Sequence, residues 1–341
     1  MADNPVETLL QLAAGHYLPR CLHAVANLGV ADALDNTPQP VSALAQATGS
    51  DPAALDRALR ILSANGVFEF RGGCVVHTPE SLMLRSDHPQ SMSSLVRMFG
   101  LPAFWASVGQ LEYSIRSGQP CADKVLPGGI WGYLAAHPDD SRIFDEAMTS
   151  KAHGQIQGVI TAYDFSSFST IVDVGGGRGH LLQSVLSETP QASGILFDQS
   201  HVIEQAAGIA SDRLRLQPGD FFNDVLPAGD AYLLMEVIHD WDDAASKTIL
   251  TSVRRAAHEH SKVLLIEAIL PDDPGPNWPR TLDIAMLAIG GRQRTLPDYS
   301  ELFSQCGLAM TRAIDTGAGV SIVEAIPIQA DQPPNGAVAR L

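Results

Sequence analysis

The run Thr170-Ile171-Val172-Asp173-Val174 is apolar and β-branched, and it breaks into Gly175-Gly176-Gly177-Arg178-Gly179 before Leu181-Leu182-Gln183-Ser184-Val185-Leu186 begins a helical pattern. That order specifies a strand, a tight turn and a helix. Glycines permit positive φ and close backbone approach, and the helix offers its free N–H groups to the turn. A chain organised around this unit is α/β, with a ligand at the turn.

The spacing narrows the ligand. Gly175-x-Gly177-x-Gly179 is not G-x-G-x-x-G, because the third glycine comes one position early, and no Lys-Ser/Thr pair follows as a triphosphate loop requires. Asp173 beside the turn repels phosphate and attracts an ammonium or sulfonium, directly or through water. S-adenosylmethionine carries both groups. Downstream, Gly194-Ile195-Leu196-Phe197 reads as the next strand and ends at Asp198, 25 residues after Asp173. A carboxylate at that tip can accept both ribose hydroxyls.

With 341 residues the chain can hold two domains, and 45% hydrophobic with 18% charged residues fits a folded protein. A formal charge of −16 argues against nucleic acid or an anionic membrane as partner. No apolar run is long enough to span a bilayer, and Met1-Ala2-Asp3-Asn4-Pro5 lacks the features of a signal peptide, so a cytoplasmic location is expected. Cys21, Cys74, Cys121 and Cys306 are scattered and suggest neither zinc nor disulfides.

From Val6 to Ala33 apolar residues recur at helical intervals with few charges, which predicts a buried helix covered by a second subunit or by later helices. Val41 to Gly49 reads as a helix with Ser42 as N-cap, and a second helix starts near Asp51-Pro52 and ends at Asn65-Gly66. A hairpin around Arg71-Gly72-Gly73 follows, completing a winged helix-turn-helix. Residues 1–100 hold six Arg and no Lys against nine acids, so DNA binding is disfavoured and a dimerisation role is expected. Residues 102–163 read as mostly helical and rich in aromatic and sulfur side chains; Phe144 and Met148, four apart, share a face suited to a flat substrate.

Beyond Phe165 strands and helices alternate, implying a mostly parallel sheet with ligands at the carboxyl ends of its strands. Gly219-Asp220-Phe221 follows the third strand, where Asp220 can accept from an adenine amino group and Phe221 can lie against the base. Glu236 to Asp243 follows the fourth, and Glu267 ends the fifth. A methyl on sulfonium needs no electrophilic help, but a hydroxyl must lose its proton; His239 can take it, and Glu267 can orient the imidazole. Asp240 is a further substrate contact. Asp242 or Asp243 reads as a helix cap, and no metal is expected.

These motifs, Asp173-Val174-Gly175-Gly176-Gly177-x-Gly179, Gly219-Asp220-Phe221-Phe222, His239-Asp240-Trp241-Asp242-Asp243 and Glu267-Ala268-Ile269-Leu270-Pro271, resemble over nearly the whole chain those of class I S-adenosylmethionine-dependent O-methyltransferases of the caffeate type and their bacterial natural-product relatives. The resemblance implies a winged-helix dimerisation domain, here residues 1–101, and a Rossmann-like catalytic domain, here 165–330; the chain between them, 102–164, reads as a helical linker and substrate-pocket segment, and 331–341 as a disordered tail. The resemblance also implies a homodimer of secondary metabolism acting on a small aromatic molecule. It puts the cofactor on Gly175, Asp198, Asp220 and Phe221, to which the reading of the turn above adds Asp173 and Gly177, and it makes His239 the general base with Glu267 as partner. Two positions depart from the pattern: Gln293 stands where many relatives carry Glu, and Met235 where plant members often carry Lys. Gln293 leaves open a second reading, in which the same fold and cofactor serve hydroxylation, decarboxylation or cyclisation. A third reading is a ligand-sensing dimer that regulates through its winged helix.

Overall fold

The computed structural model describes residues 4–328, so the expected tail at 331–341 lies outside the described residues. The chain divides into two compact bodies, Met1–Gln110 with Ala122–Lys151, and Leu111–Cys121 with Ala152–Leu341.

In the first body the Val6–Ala33 stretch is three helices, Pro5–Ala13, Tyr17–Asn27 and Val30–Ala33, with the left-handed Gly29 at the entry to the third. Asn4 caps the first helix, its side chain accepting the Val6 N–H at 3.1 Å. That helix buries nothing within the chain: Leu9 is 67% and Leu12 74% exposed. Of the two covers expected for this segment, the chain's own later helices do not bury this first helix, which leaves a second subunit as the remaining one.

Helices Val41–Thr48 and Pro52–Ser63 and strands β1 (Gln39–Pro40), β2 (Phe68–Arg71) and β3 (Cys74–His77) form the winged helix, with sheet order β1-β3-β2. Ser42 is not the cap. The short strand β1 runs directly into the helix, so Pro40 takes that position and Ser42 lies in the first turn. Asp51 does cap the second helix, accepting the Ala54 N–H at 2.8 Å. Leu44, Leu55, Leu59, Leu62, Phe68 and Val75 fill the core beneath.

The second body is built on seven strands: β4 (Thr170–Val174), β5 (Ser193–Asp198), β6 (Leu214–Pro218), β7 (Ala231–Met235), β8 (Lys262–Glu267), β9 (Leu308–Asp315) and β10 (Ser321–Pro327). Their order is β6-β5-β4-β7-β8-β10-β9. The first five are parallel, and β10 runs antiparallel to both β8 and β9. Continuous apolar runs such as Ala231-Tyr232-Leu233-Leu234 are buried throughout, as strands covered on both faces require. One apolar layer, with Ile171, Leu182, Val185 and Leu233, covers one face, and another, with Val172, Leu234, Ile249 and Phe303, covers the other. From β4 the chain builds outward through β5 and β6 on one side and β7 and β8 on the other. The β4/β7 boundary is the switch point at which such sheets open a crevice for a ligand.

Candidate active site

Four loops at the carboxyl ends of β4, β5, β6 and β7 meet around that switch point. After β4, Gly175 and Gly177 have φ of +70° and +58°, values that a side chain disfavours. A Cβ on Gly175 would lie 3.0 Å from Val237 and 3.6 Å from the Phe221 ring, so the loops after β6 and β7 close directly onto the turn. Asp198, at the tip of β5, accepts the Gly177 N–H at 2.9 Å through Oδ2 and the Gln199 N–H at 2.7 Å through Oδ1. Asp220 accepts the Phe222 N–H at 2.9 Å and the Asn223 amide at 2.7 Å, which fixes the turn carrying Phe221. The rings of Phe221, Phe222 and Trp241 pack edge to face, with Phe222 and Trp241 centroids 4.8 Å apart.

Asp173 lies wholly buried beneath the turn, and neither carboxylate oxygen has a hydrogen-bond partner. Burial, with the nearby Asp198 carboxylate second, pushes its pKa up to about 7, against a smaller opposing effect of the Leu182 N–H. Burial raises Asp198 as well, against the Gly177 and Gln199 N–H groups. Two acids that cannot comfortably both ionise therefore sit at one turn.

The loop after β7 begins with Glu236, whose φ of +53° is the one positive value outside glycine among the described residues. Such a conformation costs of order 1 kcal/mol and is sustained only where its surroundings hold it. The Glu236 N–H donates to the Ile266 carbonyl at 2.9 Å, and Gln155 donates to its carboxylate at 3.2 Å. A single 3-10 turn, Ile238–Asp240, then presents His239, which is 5% exposed.

Glu267, fully buried at the end of β8, holds this turn chiefly through its backbone: Oε1 accepts the Ile238 N–H at 2.9 Å and the His239 N–H at 3.3 Å. Its Oε2 stands 3.4 Å from His239 Nδ1 and accepts no hydrogen bond. Burial, and then the Glu236 and Asp240 charges, hold the Glu267 carboxyl well above the usual carboxylate range, with the His239 N–H and Arg294 opposing. The Gln293 side-chain amide lies 2.8 Å from Nδ1. Asp240 Oδ1 lies 3.4 Å from the other ring nitrogen, Nε2.

The segment Gly291–Arg294 secures the same turn from outside. The Arg292 N–H donates to the His239 carbonyl at 2.8 Å. The Arg294 guanidinium, 1% exposed, donates to the Ile238 carbonyl (3.0 Å), the Trp241 carbonyl (3.0 Å), Ser246 Oγ (3.1 Å) and Asp243 Oδ1 (2.8 Å). A Cβ on Gly291 would overlap the His239 carbonyl oxygen, so only glycine permits this approach. Asp242 is the helix cap expected, accepting the Ala245 N–H at 2.8 Å, whereas Asp243 serves Arg294 and Arg292. Sequence reasoning missed Arg294, since a buried arginine has no periodic signature; the glycine pair before it was the available signal.

Asp173, Gly175, Gly177, Asp198, Asp220, Phe221, His239, Asp240 and Glu267 are thus all brought to one edge of the sheet. Phe144 and Met148 belong to the other body, in an apolar cluster with Leu95, Met98 and Leu101; the Phe144 ring lies 6.5 Å from Phe104 and 5.8 Å from Trp131.

Residues 109–309 match the O-methyltransferase domain family, and residues 10–86 match the O-methyltransferase dimerisation domain. The chain belongs to the O-methyltransferase family. This methyltransferase is 39% identical to a phenazine O-methyltransferase of Lysobacter antibioticus over 94% of this chain and 96% of that one. It is 31% identical to an 8-amino-8-demethylriboflavin N,N-dimethyltransferase of Streptomyces davaonensis, over 89% and 90%. The crystal structure of a methyltransferase of calicheamicin biosynthesis in its SAH-bound form matches with a TM-score of 0.85, at 30% identity, covering 95% of this chain and 99% of that one.

S-adenosylmethionine is the family's cofactor, and the turn fits it: the unpartnered buried Asp173 carboxylate beside Asp198 is a concentration of negative charge that an ammonium and a sulfonium would relieve. Among the described residues no helix is long and apolar enough to cross a membrane.

Proposed function

We propose that the protein transfers a methyl group to a hydroxyl of a small aromatic or polyketide-like molecule and works as a homodimer. Bound S-adenosylmethionine supplies a methyl already activated by its sulfonium. Asp198 accepts from the ribose hydroxyls, Asp220 and Phe221 hold the adenine, Gly175 and Gly177 let the backbone approach, and Asp173 supplies the field that favours the positive end. His239 takes the hydroxyl proton, Glu267 steadies the turn that carries it, and Asp240 contacts the substrate. Juxtaposing the proton acceptor with a positioned methyl does most of the work, since orientation of two reactants removes much of the barrier.

The observation that carries this reading is the closure of Val237 onto Gly175 two residues before the buried His239, which couples the cofactor turn to a proton acceptor in one short loop. The homodimer is supported by the dimerisation domain together with the uncovered first helix. The test is mass-spectrometric detection of S-adenosylhomocysteine and of a methylated product, using the purified protein with phenols, flavonoids, quinones and aminophenols. His239→Ala should lose most turnover, by ~100-fold or more, while keeping cofactor affinity. Unchanged turnover in that variant rules out the base role, and methylation of amines alone moves the acceptor from oxygen to nitrogen, as the dimethyltransferase relative's name suggests.

A further inference from the structure

By the alternation of β4, Asp173 shares a face with Ile171 and stands in the apolar layer of Leu182, Leu196 and Leu233. Its partners across the sheet are Leu196 on β5 and Leu233 on β7. The carboxyl rises beneath the glycine turn. Gly176 has no positive φ to explain it, yet a Cβ there would overlap the Asp173 carboxyl and the Leu196 side chain. The turn backbone thus lies directly on a buried carboxyl that has no hydrogen-bond partner. The charged group facing it is Asp198 at the tip of β5, on which His201 of the following helix acts in turn. The helix His180–Glu188 brings the Leu182 N–H, and His180 at its first position has His153 and Arg178 as charged neighbours. Coupled carboxylates in a buried setting do not both ionise, and the proton goes to the one less well hydrogen-bonded. Asp198 has an N–H donor on each oxygen and Asp173 has none, so Asp173 holds the proton.

We propose that the cofactor binds by exchange: the cofactor-free protein carries Asp173 as a neutral acid, and the positive end of S-adenosylmethionine replaces its proton, so that one proton leaves for each cofactor bound. The step makes no covalent bond. Asp173 gives its proton to solvent and keeps the electron pair as a carboxylate, and the ammonium or sulfonium supplies the compensating charge through a low-dielectric interior without needing contact. The proposal rests on the reading of Asp173 as the group that favours the positive end, and it makes that favour conditional on pH. With the Asp173 carboxyl pushed up to about 7 in the cofactor-free protein, cofactor affinity should fall about tenfold from pH 6 to pH 5, as one linked proton requires. The same fall should be missing in Asp173→Asn. The turn is therefore a proton-sensitive cofactor site.

The experiment is calorimetric titration of the full-length protein with S-adenosylmethionine at pH 6, in buffers of different ionisation enthalpy. At that pH the cofactor's own α-amino group, ordinarily titrating at ~7.7–8.0, is already charged and takes up no proton. The dependence of the heat on the buffer should give close to one proton released per cofactor in the wild type and none in Asp173→Asn. No release from the wild type overturns the proposal, and so does undiminished release from the variant. Infrared difference spectra give a readout that does not need tight binding by the variant. The carbonyl stretch of a protonated carboxyl should be present in the cofactor-free wild type, absent from Asp173→Asn, and lost from the wild type on binding; its persistence in the complex overturns the proposal. S-adenosylhomocysteine keeps the ammonium without the sulfonium, so equal release assigns the exchange to the ammonium, and release with S-adenosylmethionine alone assigns it to the sulfonium. Binding without release sinks the exchange and leaves the cofactor site standing, whereas absence of binding by the wild type removes the site itself.

Discussion

Replacing Asp173 by Asn should stabilise the cofactor-free protein in a pH-dependent way. The carboxyl is wholly buried without a hydrogen-bond partner, and its pKa is raised from 3.8 to about 7. Because the folded value lies above the unfolded one, the folded state holds a proton that the unfolded chain releases. The contribution of Asp173 is therefore neutral below pH 3.8, becomes more unfavourable as pH rises from there to 7, and is constant beyond. Roughly three pKa units at 1.36 kcal/mol each give about 4 kcal/mol of destabilisation at pH 8. Asn fills the same volume without a charge, so this penalty should vanish: Asp173→Asn and wild type should be nearly equally stable at pH 4 and differ by up to about 4 kcal/mol at pH 8, with Asn the more stable. Urea unfolding at both pH values, without ligand, measures it. The same substitution should weaken S-adenosylmethionine binding in calorimetry, because the charge that burdens the empty turn is the one proposed to attract the cofactor. A stability difference independent of pH, or a less stable Asn variant at pH 8, would refute the reasoning.

Two further outcomes follow from backbone approach and from surface exposure. Gly291→Ala places a methyl against the His239 carbonyl and should cost about 1–3 kcal/mol in urea unfolding together with most turnover, and wild-type behaviour in both would contradict the close approach. Leu9→Glu with Leu12→Glu should convert the proposed dimer to a folded monomer in light scattering; at about 2 kcal/mol per buried leucine, dimer dissociation rises more than a hundredfold, and an intact dimer would mean this helix is not the contact.

Much of the second body is legible in the sequence because its strands are buried on both faces and appear as uninterrupted apolar runs: Ala231–Met235 is the strand read from composition alone. The glycine turn and the acids at the strand tips are legible because topology sends those positions to one edge. The N-terminal helices were harder, since an apolar period does not say whether its cover is the same chain, and Leu9 and Leu12 lie open. Gln293 reads in sequence as the loss of a carboxylate, and only its 2.8 Å contact with His239 Nδ1 gives the amide a part of its own. Arg294 was silent for another reason: a guanidinium is expected at the surface, and the carbonyls that satisfy it belong to a turn some fifty residues away in the chain.

Val237 touches the glycine turn and His239 follows two residues later, which at full extension is a reach of ~7 Å. The chain's own covalent geometry thus acts as a gauge between the glycine turn and His239, the proposed proton acceptor. On the proposed reading, side chains elsewhere in this chain could change to suit another ring system without altering the reach that sets the proton acceptor against the methyl group.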